Sequence, residues 1–247
     1  KDGQISELFE AMLETKPLSE VEMSVMFEAF GEYMVIGGMP AIVNSFVTNK
    51  NYSGTLKMQR QILLDYEEDI TKYAVVLDQA KVLNVYRKIP AFLGRDNKKF
   101  QISKVAHGAR NRDYVGTVDW LDNAGIVNIC HCMEQPSLPL GGNYDPNNYK
   151  LYFRDTGLCC YLTRWLTPET LKNGAMAGAM FETFVINEIL KSYSNEGLDY
   201  DFDVFFYNGK DRRKKNKRSE MEDVDGEIDL ILQEGEILYP IEIKMST

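Results

Sequence analysis

The run GEIDLILQEGEILYPIEIK at 226–244 constrains the fold more than any other part of this chain. Two alternating stretches flank QEGE, the pattern of a β-hairpin with a short, glycine-containing turn. With Glu234 and Gly235 as the turn, Leu232 opposes Ile237, Leu230 opposes Tyr239 and Ile228 opposes Ile241. That face is wholly apolar and belongs on a core. Side chains alternate along a strand, so the other face carries Glu227, Asp229 and Ile231 against Leu238, Pro240, Glu242 and Lys244. Asp229 and Glu242 become diagonal neighbours, about 7–8 Å apart at the backbone.

Two carboxylates held that close repel unless something offsets their charge. A hard divalent cation does so, and Mg2+ (or Mn2+) takes one or two carboxylates and fills its shell with water or phosphate oxygens. Lys244, two residues after Glu242, is then placed to hold an attacking water or to steady developing negative charge. A third carboxylate comes from AMAGAMFETFVINEILKSY (175–193), which reads as a helix. There Glu182 sits amid Met180, Phe181, Phe184, Val185 and Ile186, and a charge in such surroundings needs a partner. Placing Glu182 beside the charged face of the hairpin supplies one. Glu188, on a different side of the helix, competes for the same role. Glu182, Asp229 and Glu242 are therefore candidate metal ligands, and with Lys244 the candidate catalytic set. A hairpin whose charged face is merely solvated has the same pattern, and on the residues alone both readings stand.

Upstream, ISELFEAML and VEMSVMFEAFGEYM have the helical period, GGMP (37–40) breaks the second helix, and AIVNSFV resumes. Residues 56–93 are again helical. Two short helical segments follow, SKVAHGA (103–109) and RDYVGTVDWLDNAG (112–125), the latter with Tyr114, Val115, Val118 and Leu121 on one stripe and Gly125 just past its end. IVNICHC (126–132) reads as a strand, 135–148 as a loop, and YKLYFRD (149–155) as a returning strand. Three helices and a two-stranded ribbon are the winged-helix order, whose third helix is the usual groove reader. Here that helix presents Asp113, Asp119 and Asp122 beside Arg110 and Arg112, a poor phosphate surface, so packing against protein is the favoured use. Asp155 and Thr156 can cap a following helix. DFDVFFYN (201–208) reads as a strand.

The net charge of −9 excludes a uniformly basic nucleic-acid footprint. The charge is patterned, however. KDRRKKNKR (210–218) holds seven basic residues and SEMEDVDGEID (219–229) six acidic ones. The basic run reads as a solvated loop, with Arg212, Arg213, Lys214 and Lys215 as candidate phosphate contacts should it act as an arm. Cys130, Cys132, Cys159 and Cys160 form neither a disulfide framework nor a usual zinc spacing, and read as reduced, mostly buried thiols of a cytoplasmic protein. No apolar run approaches the roughly 18 residues of a membrane span. The first residues lack a signal pattern and the last follow directly on a strand, so the chain is expected to be a piece cut at both ends.

Asp229 and Glu242-Ile243-Lys244, following a helix that bears Glu182, resemble the PD-(D/E)XK restriction-endonuclease-like superfamily. More broadly, YMVIGGMPAIV, DYEEDI, FQISKVA, TVDWLDNAGIV, KLYFRDTGLCCYL, GAMFETFVINEIL, GEIDLIL and PIEIK, in that order, resemble the C-terminal portion of bacterial and archaeal AAA-type ATPases that carry a nuclease-like domain. The resemblance implies a mixed α/β chain: a helical segment at 1–55, a winged helix at 56–153 and a C-terminally truncated endonuclease-like α/β domain at 154–247. It also implies an ATP-binding domain upstream, since no G-x-x-x-x-G-K-[ST] is present. The activity it implies is Mg2+-dependent phosphodiester cleavage. The rival is a non-catalytic module that binds DNA, a protein or a second copy and is moved by the ATPase.

Overall fold

The computed structural model describes residues 2–95, 98–172, 177–195, 204–215 and 220–244, with backbone only at 2, 171–172, 193–195, 210–215 and 220–225. The chain is mixed α/β and divides into two compact units, 1–66 with 155–180 and 67–154 with 181–247.

The first unit is helical among its described residues: α1 (Asp2–Leu13), α2 (Glu20–Ile36), α3 (Pro40–Asn49), most of α4 (Tyr52–Tyr73), α7 (Thr156–Thr163) and α8 (Pro168–Lys172). α2 opens on a capping box, in which Ser19 and Glu22 satisfy each other's backbone N–H. It stops at Gly37, whose φ of +79° suits glycine, and Pro40 restarts the chain as the first residue of α3. The break read at GGMP is thus real. Asp155 caps α7 as expected: one carboxylate oxygen accepts from the Leu158 N–H at 2.8 Å, and the other from the Gly38 N–H at 2.8 Å. Gly157 lies so close to the backbone of Ile36 and Gly37 that no Cβ fits there. Ile36, Ile42 and Phe46 form a core flanked by Met39, Tyr52, Met58 and Ile62.

The second unit holds the end of α4, α5 (Gln79–Leu93), α6 (Thr117–Asn123), most of α9 (Ala177–Asn195) and a five-stranded sheet. The strands are β1 (Val127–Met133), β2 (Tyr144–Phe153), β3 (Val204–Lys215), β4 (Glu220–Glu234) and β5 (Ile237–Ile241), in the order β2-β1-β3-β4-β5. β1 and β3 run parallel and every other pair antiparallel. The boundary expected at 153/154 therefore does not separate the strands. The ribbon β1–β2, expected as the wing of its own domain, shares one sheet with the C-terminal hairpin, while 155–180 cluster with the N-terminal helices. The helices expected at 103–109 and 112–125 are shorter: a 3-10 turn at Ile102–Lys104, another at Asn111–Asp113, then α6. Gly116, at φ +76°, interrupts the second stretch, which leaves Val115 75% exposed while Tyr114, Val118 and Leu121 are buried.

Two local features revise the hairpin. Gly235 has φ +59° and, with Glu236, forms the turn, so Glu234 pairs with Ile237 and Leu232 with Tyr239. Two-residue hairpin turns need a positive φ at their first position, which Gly235 supplies there and not at the second. The slip from the expected register is two residues, an even number, so each side chain keeps its side. β4 also carries a bulge. Phe205 pairs with Ile231 but Tyr207 with Ile228, so Asp229 and Leu230 together oppose Phe206. Strict alternation fails there: Ile228 and Ile231 both pack on Met133, Leu140 and Phe205, and the expected single apolar face does not exist. Ile237 and Tyr239, expected on the core, are 57% and 42% exposed. Over residues 210–215 the basic run is not a loop either; 216–218 lie outside the described residues. Its backbone continues β3, with Lys210 paired to Asp225, Arg212 to Asp223, Arg213 to Glu222, Lys214 to Met221 and Lys215 to Glu220; the side chains of Arg212, Arg213, Lys214 and Lys215 lie outside the described residues.

Asp155→Ala removes two charge-assisted acceptor contacts, one of them a helix cap, and is expected to destabilise the protein by about 2 kcal/mol. Urea unfolding followed by helical circular dichroism checks this; an unchanged midpoint contradicts the role given to Asp155.

Candidate functional site

The site begins on β2. Alternate residues of a strand share a face, so Lys150 and Tyr152 point to the same side of the sheet. α9 covers that side. Asn187 of α9 donates to the Phe153 carbonyl at 2.8 Å and accepts from Asn128 of β1 at 2.9 Å. Nearer the start of the helix, Glu182 is 1% exposed and takes three donors: the ammoniums of Lys98 and Lys150, the latter at 3.2 Å, and the Tyr152 hydroxyl. Lys150 is itself 1% exposed, pairs at 2.8 Å with Glu227 of β4, and lies 4.7 Å from the centre of the Phe206 ring.

The electrostatics follow from this packing. Burial pushes the Glu182 carboxyl up, but the Lys150 and Lys98 ammoniums outweigh it and hold the group below its ordinary value. Burial likewise disfavours the Lys150 ammonium, yet Glu182 and Glu227 overcome it and raise the group above the usual lysine value. Tyr152 is pushed well up by burial and by Glu182, so it stays a donor.

Asp229 occupies the bulge and is half-buried. Its carboxylate accepts from the Ile243 N–H at 2.9 Å. Burial raises this carboxyl, with Glu182 and Glu242 adding to the rise; the Ile243 N–H and Lys150 oppose it without prevailing. The β4–β5 ladder ends at Leu230 and Ile241, so Asp229 and Glu242 lie just past it, and the diagonal strand pairing expected for them is not formed.

Glu182 thus sits on its own lysine and tyrosine donors, while Asp229 feels the charge of both Glu182 and Glu242. The structure does not bring Lys244 inward. The Lys244 side chain is 78% exposed and pairs with Glu242 at 3.3 Å. Glu188, the rival of Glu182, is at the surface with Lys191 at 2.6 Å. Among the described residues, no three His, Cys, Asp or Glu side chains are grouped so as to hold a metal ion. The oxygens of Glu182 are engaged by its three donors and do not serve a shared ion. Asp229 and Glu242 remain as the two carboxylates that could hold Mg2+, which takes one or two carboxylates and fills its shell with water or phosphate oxygens. Sequence reasoning missed Lys98, Lys150 and Tyr152, and gave Glu227, which it placed on the charged face, no role. Lys150 carried a signal of the same kind as Glu182: a charge inside an apolar run, YKLYF, that needs a buried partner.

The other candidates lie elsewhere. Arg110 is exposed; Arg112 is 74% exposed and 3.8 Å from Asp113. The four cysteines are free and buried, as expected. No helix among the described residues is long and apolar enough to cross a membrane.

Two family models match. One, described as a domain of unknown function (DUF8612), covers residues 27–169, more than half of the chain; the other, also a domain of unknown function (DUF4143), covers residues 177–247. No curated protein and no solved structure matches the chain.

Removing one member of a buried ion pair strands the other, so Glu182→Gln is expected to cost about 3–5 kcal/mol at neutral pH. The pKa of Glu182 is depressed in the folded state, so its contribution is present above the unfolded value and lost as the pH falls through the folded one. The deficit of Glu182→Gln therefore narrows in acid. Asp229 has the opposite sign. Its raised pKa makes the ionised form a burden at pH 7, and Asp229→Asn is expected to be more stable than wild type there, with the gain vanishing in the acid range. Urea midpoints across pH measure both trends; parallel profiles for the two variants contradict this account.

Proposed function

The chain belongs to the DUF8612 family, and from that premise we propose that it is the C-terminal part of an AAA-type ATPase that carries a metal-dependent phosphodiesterase site at Asp229 and Glu242. The DUF4143 match supports the first half, because that domain commonly accompanies AAA-type ATPases. The observation that carries the second half is the setting of Asp229: a carboxylate displaced by a bulge, half-buried and crowded by Glu182 and Glu242. Such crowding costs stability, and a bound cation relieves it.

Asp229 and Glu242 would hold the ion. When bound, it supplies a Lewis acid and a water of lowered pKa. The chain's own groups do the rest. The Ile243 N–H fixes the Asp229 carboxylate in place. Lys150, beneath α9, keeps Glu182 and Glu227 from repelling an incoming phosphate. Lys244, exposed and paired with Glu242, would meet a phosphodiester oxygen at the rim.

A specific observation favours a second reading. Glu182 is taken up by lysines, and Lys244 points away from the buried acids, as in a nuclease-like scaffold that binds DNA or protein without cutting. Cleavage of linear and supercoiled DNA by the protein with its ATPase domain, in Mg2+ or Mn2+, decides between them. The proposed site predicts metal-dependent cleavage that falls at least about a hundredfold in Asp229→Ala, the scale of losing a metal ligand. Equal activity of the variant contradicts the site at Asp229; binding without cleavage at any metal concentration also contradicts it and selects the binding module.

A further inference from the structure

Beside α6 lies a cavity of about 170 Å3 that the site at Asp229 does not use. A cofactor or a drug-sized ligand takes a pocket of roughly 300–1,000 Å3, so this one suits a single side chain. Its walls include the rings of Tyr114, His131 and Tyr149, and the amides of Asn111 and Asn147, which bond to each other at 3.2 Å. Asp119 of α6 brings a carboxylate to it. Of the three acids on this stretch two are taken: Asp113 lies 3.8 Å from Arg112, and Asp122 lies 3.2 Å from Arg154. Asp119 is exposed, and among the described residues it forms no ion pair. Its field reaches into the cavity: burial, and then the Asp119 charge, push the Tyr149 hydroxyl up to about 12. A carboxylate bordered by aromatic rings suits a guanidinium, which stacks on rings while its fork binds the acid. The Tyr114 ring already accepts one cation, the Lys81 ammonium, at 5.8 Å.

The rim of the cavity is apolar. Val115 is 75% exposed, and Val75 and Val76 are 72% and 94% exposed. The two segments are neighbours, because a Cβ on Gly116 would lie 3.6 Å from Leu77. Large apolar side chains left out in adjacent turns, around a pocket with an anchor for charge, are the makings of a protein interface. The acids on this face oppose a phosphate backbone as its occupant.

We propose that this face docks a protein partner through one arginine: the guanidinium enters the cavity onto Asp119, among Tyr114, His131 and Tyr149, and apolar residues on either side of that arginine cover Val75, Val76 and Val115. The surface is independent of the Asp229 reading and stands whether or not the chain cuts DNA.

Methyl NMR titration of the whole chain with short peptides tests this, with the signals of Val115, Val118 and Ile129 reporting on the cavity. Acetyl-Leu-Arg-Leu-amide is expected to move them saturably, with an affinity on the order of millimolar for so small a probe. Citrulline in place of arginine keeps the shape and removes the charge. That change, or Asp119→Asn, is expected to weaken binding about tenfold, the scale of one charge-assisted contact. Acetyl-Ser-Arg-Ser-amide, or Val76→Ser with Val115→Ser, is expected to weaken it about threefold or more through lost apolar contact. These variants change exposed side chains only, so the fold is kept. Citrulline binding as tightly as arginine, Asp119→Asn binding like the wild type, serine changes without effect, or no movement of the three signals overturns the proposal. A DNA duplex that moves the same signals in a salt-dependent way overturns it in favour of nucleic acid. Self-association that rises with concentration and is lost in Asp119→Asn overturns it in favour of a second copy of the chain.

Discussion

The buried ammonium of Lys150, set between Glu182 and Glu227, is the contact on which the second unit is arranged. Sheet strand β2, helix α9 and strand β4 meet there through charge rather than through side-chain volume. Such a cluster adds little net stability compared with an apolar core of the same size, but any one member left alone is severely penalised. It therefore dictates position. α9 cannot shift along the sheet without stranding Glu182 from Lys98, Lys150 and Tyr152, and Asn187 fixes the helix a second time on Asn128 and Phe153.

That fixed frame lets one irregular element persist beside it. The bulge in β4 turns Asp229 away from the regular alternation and holds it where Glu182 and Glu242 both oppose its charge. A fold that served stability alone would place an apolar or amide side chain there. On the proposed reading, that carboxylate is kept for a cationic partner; bulges recur beside functional sites because they re-aim one side chain without disturbing the rest of the sheet.

Much of this was legible from the residues. The hairpin, the helix bearing Glu182, the caps at Gly37 and Asp155 and the burial of Glu182 all follow from local pattern. The turn was misplaced by one residue because either position around Gly235 preserves the alternation, and only backbone geometry selects one. The bulge was invisible, since an extra residue in a strand leaves no mark in an alternating run and shows only in how the partner strand pairs. The joining of β1 and β2 to the C-terminal strands could not be read either: parallel pairing of β1 with β3 links residues more than 70 positions apart. Lys150 was readable in principle. Its charge inside YKLYF posed the same question as Glu182 in its apolar helix, and each was the other's answer.

The most direct measurement is anomalous scattering from crystals of the protein soaked in Mn2+. The account predicts one peak, between Asp229 and Glu242, with the Lys150 ammonium still seated on Glu182. A peak on Glu182 itself, or Lys150 displaced from it by an ion, would contradict the assignment of that carboxylate to the lysine and with it the account of the whole site.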